Sequence, residues 1–342
     1  MILRALHRPL FALAVGAFGL AGCTTGSGGP PASIPPGATG SIVPVTTATP
    51  EVATTPTPAQ SAAYPFTLID DEGRTVTLAA EPTRIVSLTP ATTELAFAVG
   101  TGDRVVGKAE DISLYPPEAA AIPDVAKFGS VDVEKIVGLD PDLVIAGGNG
   151  FNPPDQIDQL RSIGIPVLVV YAANLEGVFA DVRLVGRAMG RAAEADALAV
   201  SMTAGIDEVT RATRDLPRPR VYYELDATNG FFGPAPDYFG VEMIRLAGGV
   251  PLTSGTPGVF QIPAEKILAF DPEVILLGDA AYGVTPEAVA SRPGWQAIRA
   301  VKAGEIRPID DVVVTRPGPR LVEGLRALAL AIHPDVALPP AP

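Results

Sequence analysis

The 342-residue sequence has few of the residues on which most enzymes and metal sites depend. It contains one cysteine and two histidines, His7 and His333, which lie near opposite ends of the chain. A single cysteine cannot form an intramolecular disulfide, so cross-links do not stabilise the fold. The motifs of serine hydrolases, phosphate-binding loops and zinc proteases are absent from the sequence. We therefore expect neither enzymatic activity nor a resident metal or cofactor.

Positive charge is also scarce. The chain has 25 lysines and arginines against 38 acidic residues, a formal net charge of -13. Removal of residues 1–22 would take away Arg4 and Arg8 but no acid, and would leave -15. This balance argues against nucleic acid or anionic lipid as a partner and favours a basic one, although it also fits mere solubility.

The one long apolar run lies at the N-terminus, where residues 10–20 follow the two arginines. This run is too short for a permanent membrane span and is typical of an export signal. It ends in LAGC at positions 20–23, so residues 1–22 are predicted to be a lipoprotein signal and Cys23 the lipidated residue. The alternative is a plain signal peptide with a coincidental cysteine. Residues 23–63, rich in Pro, Thr and Gly with Glu51 as their one charge, are predicted to be a flexible tether to the membrane.

A thirteen-residue segment occurs twice. Residues 133–145 return as residues 264–276, with Glu-Lys-Ile and Asp-Pro identical in place. Each copy predicts a short helix, a sharp turn at the proline and a strand buried on both faces. The repeat predicts two similar α/β lobes with a cleft between them and one exposed glutamate on each, Glu134 and Glu265.

Strands and helices alternate along the rest of the chain, as in a parallel sheet with crossover helices. A hairpin with a glycine turn is predicted over residues 66–78, and Thr92 and Thr93 are predicted to cap the first helix. Between residues 174 and 215 the pattern is helical only, with a break at Gly190. We therefore predict an N-terminal lobe (64–190), one long helix between the lobes (191–215) and a C-terminal lobe (216–335).

Several aromatic residues follow strand ends or lie in long loops, where ligands of open parallel sheets bind. They are also candidates for ordinary packing. The candidates for contact with a ligand in the cleft are Phe128, Phe151, Tyr223, Phe231, Phe232, Phe260 and Tyr282. The glycine-rich turn at 147–150 follows a strand too, but without a lysine it is better interpreted as a strand-end turn than as a phosphate loop.

Five segments together resemble the cobalamin and ferric-siderophore binding proteins of ABC importers. They are RIVSLTPATTELAFAVG at 84–100, YPP at 115–117, DPDLV at 140–144, LAGG at 246–249 and RPGPR at 316–320. The resemblance covers residues 66–333. It implies two Rossmann-like lobes joined by one rigid helix, a cleft that closes little on binding, and a monomer that delivers its ligand to a permease dimer with its ATPase.

The resemblance also implies roles for particular residues. In that family the glutamate of each repeated segment meets arginines of the permease, which carries over to Glu134 and Glu265. The alternative is that each glutamate interacts only with its helix dipole, a contribution of about 0.3 to 1 kcal/mol. Phe128 stands where the cobalamin-binding members have a tryptophan, whereas Phe260, Asp311 and Arg316 match positions of the family's ligand site.

The expected ligand is bulky and brings its own metal. The candidate loops contain few cations, which disfavours a highly anionic catecholate siderophore. Haem usually requires a histidine or tyrosine ligand, and the cleft loops have no histidine. The order of preference is therefore cobalamin or a related corrinoid, then a ferric hydroxamate siderophore, then haem. The alternatives of another class are a structural surface lipoprotein and an enzyme.

Overall fold

The computed structural model describes residues 63–148 and 150–340. The predicted signal sequence, Cys23 and nearly all of the predicted tether lie outside the described residues. Within them the chain forms two α/β lobes, as predicted. No helix in these ranges combines the length and apolar composition that a membrane span requires.

The N-terminal lobe is built on a six-stranded sheet in the order β6-β5-β4-β3-β7-β8, parallel except for β6. Its central strands β3 and β7 are buried on both faces, which explains their continuous apolar sequence. The elements of this lobe are β1 (Phe66–Ile69), β2 (Thr75–Leu78), β3 (Ile85–Ser87), α1 (Pro90–Ala98), β4 (Val105–Ala109), β5 (Asp124–Lys127), β6 (Ser130–Val131), α2 (Val133–Gly138), β7 (Leu143–Gly147), α3 (Pro154–Ser162), β8 (Val167–Val170) and α4 (Leu175–Ala188).

The predicted hairpin is confirmed as the antiparallel pair β1–β2, with Gly73 at a φ of 73° in its turn. Its turn contacts the carboxyl end of β8, where the backbone N–H of Asp71 donates to the carbonyl of Val169 at 3.1 Å. The carboxylate of Asp71 accepts the N–H of Tyr171 at 2.5 Å. The hairpin thereby brings an acidic residue to the edge of the sheet.

The C-terminal lobe has a four-stranded parallel sheet in the order β11-β9-β13-β14 and a small antiparallel pair, β10–β12. The chain enters it through α5 (Ala192–Thr213), whose preceding Gly190 adopts a φ of 72°. The elements of the lobe are β9 (Arg220–Glu224), β10 (Phe231–Phe232), α6 (Phe239–Leu246), β11 (Val250–Pro251), β12 (Gln261–Ile262), α7 (Ala264–Phe270), β13 (Val274–Leu277), α8 (Pro286–Ala290), α9 (Arg299–Ala303), β14 (Ile306–Pro308), α10 (Asp311–Thr315) and α11 (Leu321–Ile332).

One hydrophobic core runs through both lobes. It includes Val185 of α4, Met202 of α5 and Leu325 of α11, all at most 2% exposed. A smaller cluster of buried apolar side chains lies on the outer face of each sheet. Because the shared core joins the lobes along α4, α5 and α11, a hinge motion between them would expose apolar surface.

The sequence repeat is also a structural repeat. Before each proline an aspartate ends the helix with a positive φ, 47° at Asp140 and 49° at Asp271. Arg84 donates from Nε to the carbonyls of residues 139 and 140, and Arg220 does the same to those of residues 270 and 271. Each arginine thus satisfies carbonyls at a helix end, so that α2 and α7 are fixed to their sheets in the same way.

The predicted cap of α1 is wrong. Thr89, rather than Thr92 or Thr93, is the N-cap residue, and its hydroxyl accepts the N–H of Thr92 at 3.1 Å. The helix starts earlier because Pro90 fits the first helical position, where no N–H is needed. Thr92 and Thr93 are buried instead and join a hydroxyl network with Ser87.

A buried ionic network connects the lobes. Arg316, after α10, donates to Glu94 of α1 at 2.7 Å and to Asp111, after β4, at 2.5 and 2.9 Å. Arg320 donates to Glu94 at 2.7 and 3.1 Å, and its guanidinium lies 4.0 Å from the ring centroid of Tyr115. The side chain of Glu94 is fully buried, so that both arginines hold a carboxylate that water does not reach.

We expect Glu94→Gln to lower the free energy of unfolding by about 3 to 5 kcal/mol, because two arginines would lose their shared counter-charge inside the protein. Urea denaturation measures this change. Glu194→Gln, an exposed glutamate in the first turn of α5, is the matched control. Equal stability of the two variants would contradict the assigned importance of the network.

Candidate functional site

A cavity of about 680 Å³ lies between the lobes. The N-terminal lobe contributes the residues after β3, β4, β7 and β8 together with one side of α4. The C-terminal lobe contributes the residues after β9 and β13, Phe260, the start of α6 and the region of α10. Because the carboxyl ends of parallel strands open onto it, the cavity occupies the position where such folds bind ligands.

Aromatic rings form much of its wall. In the N-terminal lobe Phe128 and Phe151 pack edge to face with centroids 5.3 Å apart. In the C-terminal lobe Phe260 packs against Tyr238 at 5.5 Å. Phe128 and Tyr282 are 78% and 74% exposed, so each lobe presents a largely exposed ring.

The glycine-rich turn after β7 shapes the N-terminal wall. A Cβ at Gly147 would lie 2.7 Å from Thr89, and one at Gly148 would lie 3.0 Å from Tyr171. The side chain of Asn152 holds the turn by accepting the N–H of Gly147 at 2.7 Å and donating to the carbonyl of Leu88 at 3.1 Å. A larger residue at either position would collide with these neighbours, which explains the two glycines. Close packing of this kind fits the interpretation as a strand-end turn.

Among the described residues one arginine lines the cavity, and it is already paired. Arg316 lines the cavity, but Glu94 and Asp111 accept its hydrogen bonds. Burial favours a higher pKa for Asp111, yet hydrogen bonds from Arg316 and Ser113 hold that pKa below its ordinary value. Within residues 63–148 and 150–340, the wall therefore offers no unpaired arginine to an anionic ligand.

Two further carboxyl groups on the wall have raised pKa values. Burial raises the pKa of Asp311 despite hydrogen bonds from Tyr223 and Thr315. Burial and the neighbouring charge of Asp71 raise the pKa of Asp181, on α4, to about 8. Asp181 is 9% exposed and faces the cavity.

The structure brings five of the eight predicted ligand-binding residues to the cavity, and the additional candidate Tyr282 also lines it. The five are Phe128, Phe151, Phe260, Asp311 and Arg316. His333, at the end of α11, is not among the lining residues.

Tyr223, Phe231 and Phe232 do not line the cavity, which corrects the expectation for these three. Tyr223 is 1% exposed, because its side chain points into the core and its hydroxyl donates to Asp311. Phe231 packs on Trp295, with their centroids 5.1 Å apart, and beneath Arg292. Phe232 follows it in the short pair β10–β12, to the side of the cavity.

Sequence reasoning missed Tyr171, Tyr238 and Asp181 as cavity residues. Tyr171 directly follows β8, so the rule that selected the other aromatics would have found it. Asp181 lies within an amphipathic helix, and nothing in the pattern of that helix indicates which polar residue faces the cleft.

Glu134 and Glu265 occupy equivalent exposed positions on α2 and α7. The lysine after each points away from it: Lys135 donates to the carbonyl of Asp124 at 2.7 Å and Lys266 to that of Ser254 at 2.5 Å. Among the described residues neither glutamate has a salt-bridge partner. Each lobe thus presents, at this equivalent position, an exposed carboxylate without a salt bridge.

Comparison with known proteins shows which family this chain belongs to. Residues 85–313 match the family described as periplasmic binding protein. The chain belongs to this family. It is 34% identical over 277 residues to YvrC of Bacillus subtilis, an uncharacterized ABC transporter substrate-binding lipoprotein, with 80% of this chain and 87% of that protein covered.

Two other similar proteins carry ligand names. A cobalamin-binding protein of Halobacterium salinarum is 32% identical over 287 residues, with 80% of this chain and 76% of that protein covered. The periplasmic heme-binding protein RhuT of Roseiflexus sp. RS-1 superposes with a TM-score of 0.66 at 28% identity, covering 73% and 98% of the two chains. The chain is thus a solute-binding protein of ABC transport, a class that binds small molecules and delivers them to a permease, and it is not an enzyme.

Substitution of Asp181 should change how stability depends on pH. The folded state holds a proton on this group up to pH about 8, whereas the unfolded chain releases it near the ordinary value of 3.8. The wild-type contribution is therefore fully present below pH 3.8 and is lost as the pH rises through 8. We expect Asp181→Asn to raise the melting temperature by several degrees at pH 9 relative to wild type and by less at pH 5.

Thermal denaturation across this pH range measures the difference. Asp207→Asn, on the exposed face of α5, is the control and should shift the melting temperature equally at both pH values. A constant offset for Asp181→Asn would contradict the raised pKa.

Proposed function

We propose that the protein is an extracytoplasmic lipoprotein receptor that binds cobalamin or a related corrinoid between its lobes and delivers it to an ABC permease dimer. The observation that carries the proposal is the interlobe cavity. Its volume of about 680 Å³ lies in the range typical of small-molecule sites, roughly 300 to 1,000 Å³. Exposed rings from both lobes suit a broad, largely apolar macrocycle, and the relative from Halobacterium salinarum is a cobalamin-binding protein.

Haem, third in the order drawn from the sequence, moves ahead of the hydroxamate siderophore on one observation, namely that two tyrosines present their rings at the cavity. Tyr171 is 45% exposed on the N-terminal side and Tyr282 is 74% exposed on the C-terminal side. Tyrosine is a known axial ligand of haem iron, and RhuT is a heme-binding protein. A ferric hydroxamate siderophore is the third. Absorbance spectra after incubation with cyanocobalamin, haemin or ferrichrome and desalting distinguish the three.

The two equivalent glutamates form the proposed docking surface. One helical turn after each, an apolar side chain is exposed: Val137 at 46% and Leu268 at 37%. The buried isoleucines Ile136 and Ile267 provide the packing of α2 and α7, so folding does not explain the exposed pair. A carboxylate beside an apolar side chain, repeated on both lobes, suits a basic partner made of two similar subunits.

Truncation of the aromatic wall should weaken binding. We expect Phe128→Ala and Phe260→Ala each to reduce cyanocobalamin affinity by about 1 to 3 kcal/mol if the ring is a buried anchor in the complex. Isothermal titration calorimetry measures this. Phe232→Ala, outside the cavity, is the matched control, and wild-type affinity in both cavity variants would contradict the assignment.

Loss of the docking carboxylates should separate binding from transport. We expect Glu134→Ala with Glu265→Ala to keep ligand affinity near wild type while reducing uptake by cells and association with the permease in nanodiscs. Salt should weaken the wild-type association more, because the variant has already lost two screened pairs. The control is Glu194→Ala with Glu287→Ala, two exposed first-turn glutamates of other helices. Normal transport by the docking variant would refute the docking role.

Lipidation of Cys23 is proposed from the sequence, and YvrC is a lipoprotein. We expect Cys23→Ser to release the protein from the membrane fraction or to leave its precursor uncleaved, as cell fractionation and immunoblotting show. An unchanged membrane fraction with normal processing would exclude the lipid anchor.

A further inference from the structure

Asp181 is an unusual residue for the wall of a ligand cavity. It lies in the apolar half of α4, between Val178 and Val182, and is 91% removed from solvent while facing the cavity. Burial of a carboxyl group without a donor is costly, so such a residue needs an explanation.

The described part of the protein supplies Asp181 with no donor. No arginine, lysine, hydroxyl or backbone N–H in residues 63–148 and 150–340 bonds to it. Its neighbour is another acid, Asp71, whose own carboxylate accepts the N–H of Tyr171. Arg161, which pairs with the residues on either side of Asp71, is held by Asp70 and Glu72.

Other acidic residues also line the cavity. Glu110, Asp111 and Asp311 also line the cavity, and Arg316 is already shared between Asp111 and Glu94. Carboxyl groups therefore outnumber cationic side chains among the described residues of the cavity wall. A ligand that brought a further carboxylate to α4 would face like charge in a poorly solvated place.

We infer that Asp181, with Asp71 beside it, is a ligand-recognition site that accepts hydrogen bonds from N–H groups of the ligand and selects against ligands that place a carboxylate there. This inference rests on the proposed function. The raised pKa of Asp181 agrees with it, because burial and the charge of Asp71 cause the shift, and both carboxyl groups have lone pairs that can accept hydrogen bonds.

The chemistry favours some ligand classes over others. The periphery of a corrinoid carries primary amides, and some linear hydroxamate siderophores, ferrioxamine B among them, carry a terminal ammonium, so both present N–H donors. Haem carries two propionates and offers no N–H at its edge. The acceptor site at Asp181 and Asp71 thus favours ligands that carry amide or ammonium groups.

The test compares ligand pairs that differ by one group. Cyanocobalamin is titrated against each of its monocarboxylic acids, in which one peripheral amide is hydrolysed. Ferrioxamine B is titrated against its succinylated form, and haemin against its dimethyl ester. Calorimetry is run with wild type, Asp181→Asn and the exposed control Asp207→Asn, and circular dichroism checks folding of each.

For wild type we expect the amide or ammonium ligand to bind at least about tenfold more tightly than one or more of its carboxylate partners. Asp181→Asn should reduce that ratio to less than about threefold, because an asparagine can donate to a carboxylate. Asp207→Asn should keep the wild-type ratio. Rescue of the carboxylate ligand by Asp181→Asn is a result that a merely structural role would not give.

The outcomes separate the two proposals. If cyanocobalamin binds but the ratio is the same in wild type and Asp181→Asn, the corrinoid assignment stands and this inference is overturned. If ferrioxamine B binds and cyanocobalamin does not, with the ratio falling in Asp181→Asn, the inference stands and the corrinoid assignment fails. If haemin binds more tightly than its dimethyl ester, or if no ligand of the three classes binds, the inference fails.

Discussion

The pairing of Arg316 and Arg320 with Glu94 and Asp111 is the interaction on which the shape of the cavity depends. It joins residues more than 200 positions apart and lies directly between the lobes. Buried charges are tolerated only when they are paired, so separation of the lobes here would leave two carboxylates and two arginines to be resolvated in a new arrangement. The network therefore opposes separation of the lobes.

The shared apolar core also holds the two lobes together. Helices α4, α5 and α11 pack as one cluster, so the lobes are joined by side-chain contacts as well as by the chain. Because the lobes are joined in this way, binding of a ligand would require little conformational change of the protein, and little free energy would be lost to it. Under the proposed function, most of the affinity would then come from contacts with the cavity wall, including the exposed rings of Phe128 and Tyr282.

The sequence predicted the features that depend on residues close together in the chain, but not those that depend on residues far apart. The alternation of strands and helices, the hairpin and the long α5 all arise from local periodicity and turn residues, and the structure has them close to the predicted positions. The repeat predicted two similar lobes, and Arg84 and Arg220 show that the likeness extends to individual hydrogen bonds. By contrast, Tyr222 and Tyr223 are adjacent and both buried, so no alternation showed on which side of β9 a ligand would lie.

The ion pairs that cross the cleft could not be predicted because sequence patterns carry no information about partners 200 residues apart. Asp181 was missed for a related reason. A single acid on an amphipathic helix is normally interpreted as part of the solvated face, and here the hairpin turn and α4 bury it. Only the three-dimensional arrangement shows that it faces the cavity beside a second acid.

The acidic character of the chain thus has two different physical consequences. On α2 and α7, Glu134 and Glu265 are exposed, and their neighbouring lysines are bonded elsewhere, so their charge is available to a basic partner at long range. In the cavity, burial keeps Asp181 and Asp311 closer to neutrality, so that they act over hydrogen-bonding distances. Under the two proposals, the exposed carboxylates attract the permease and the buried ones distinguish among ligands, so the difference in burial would separate the two roles.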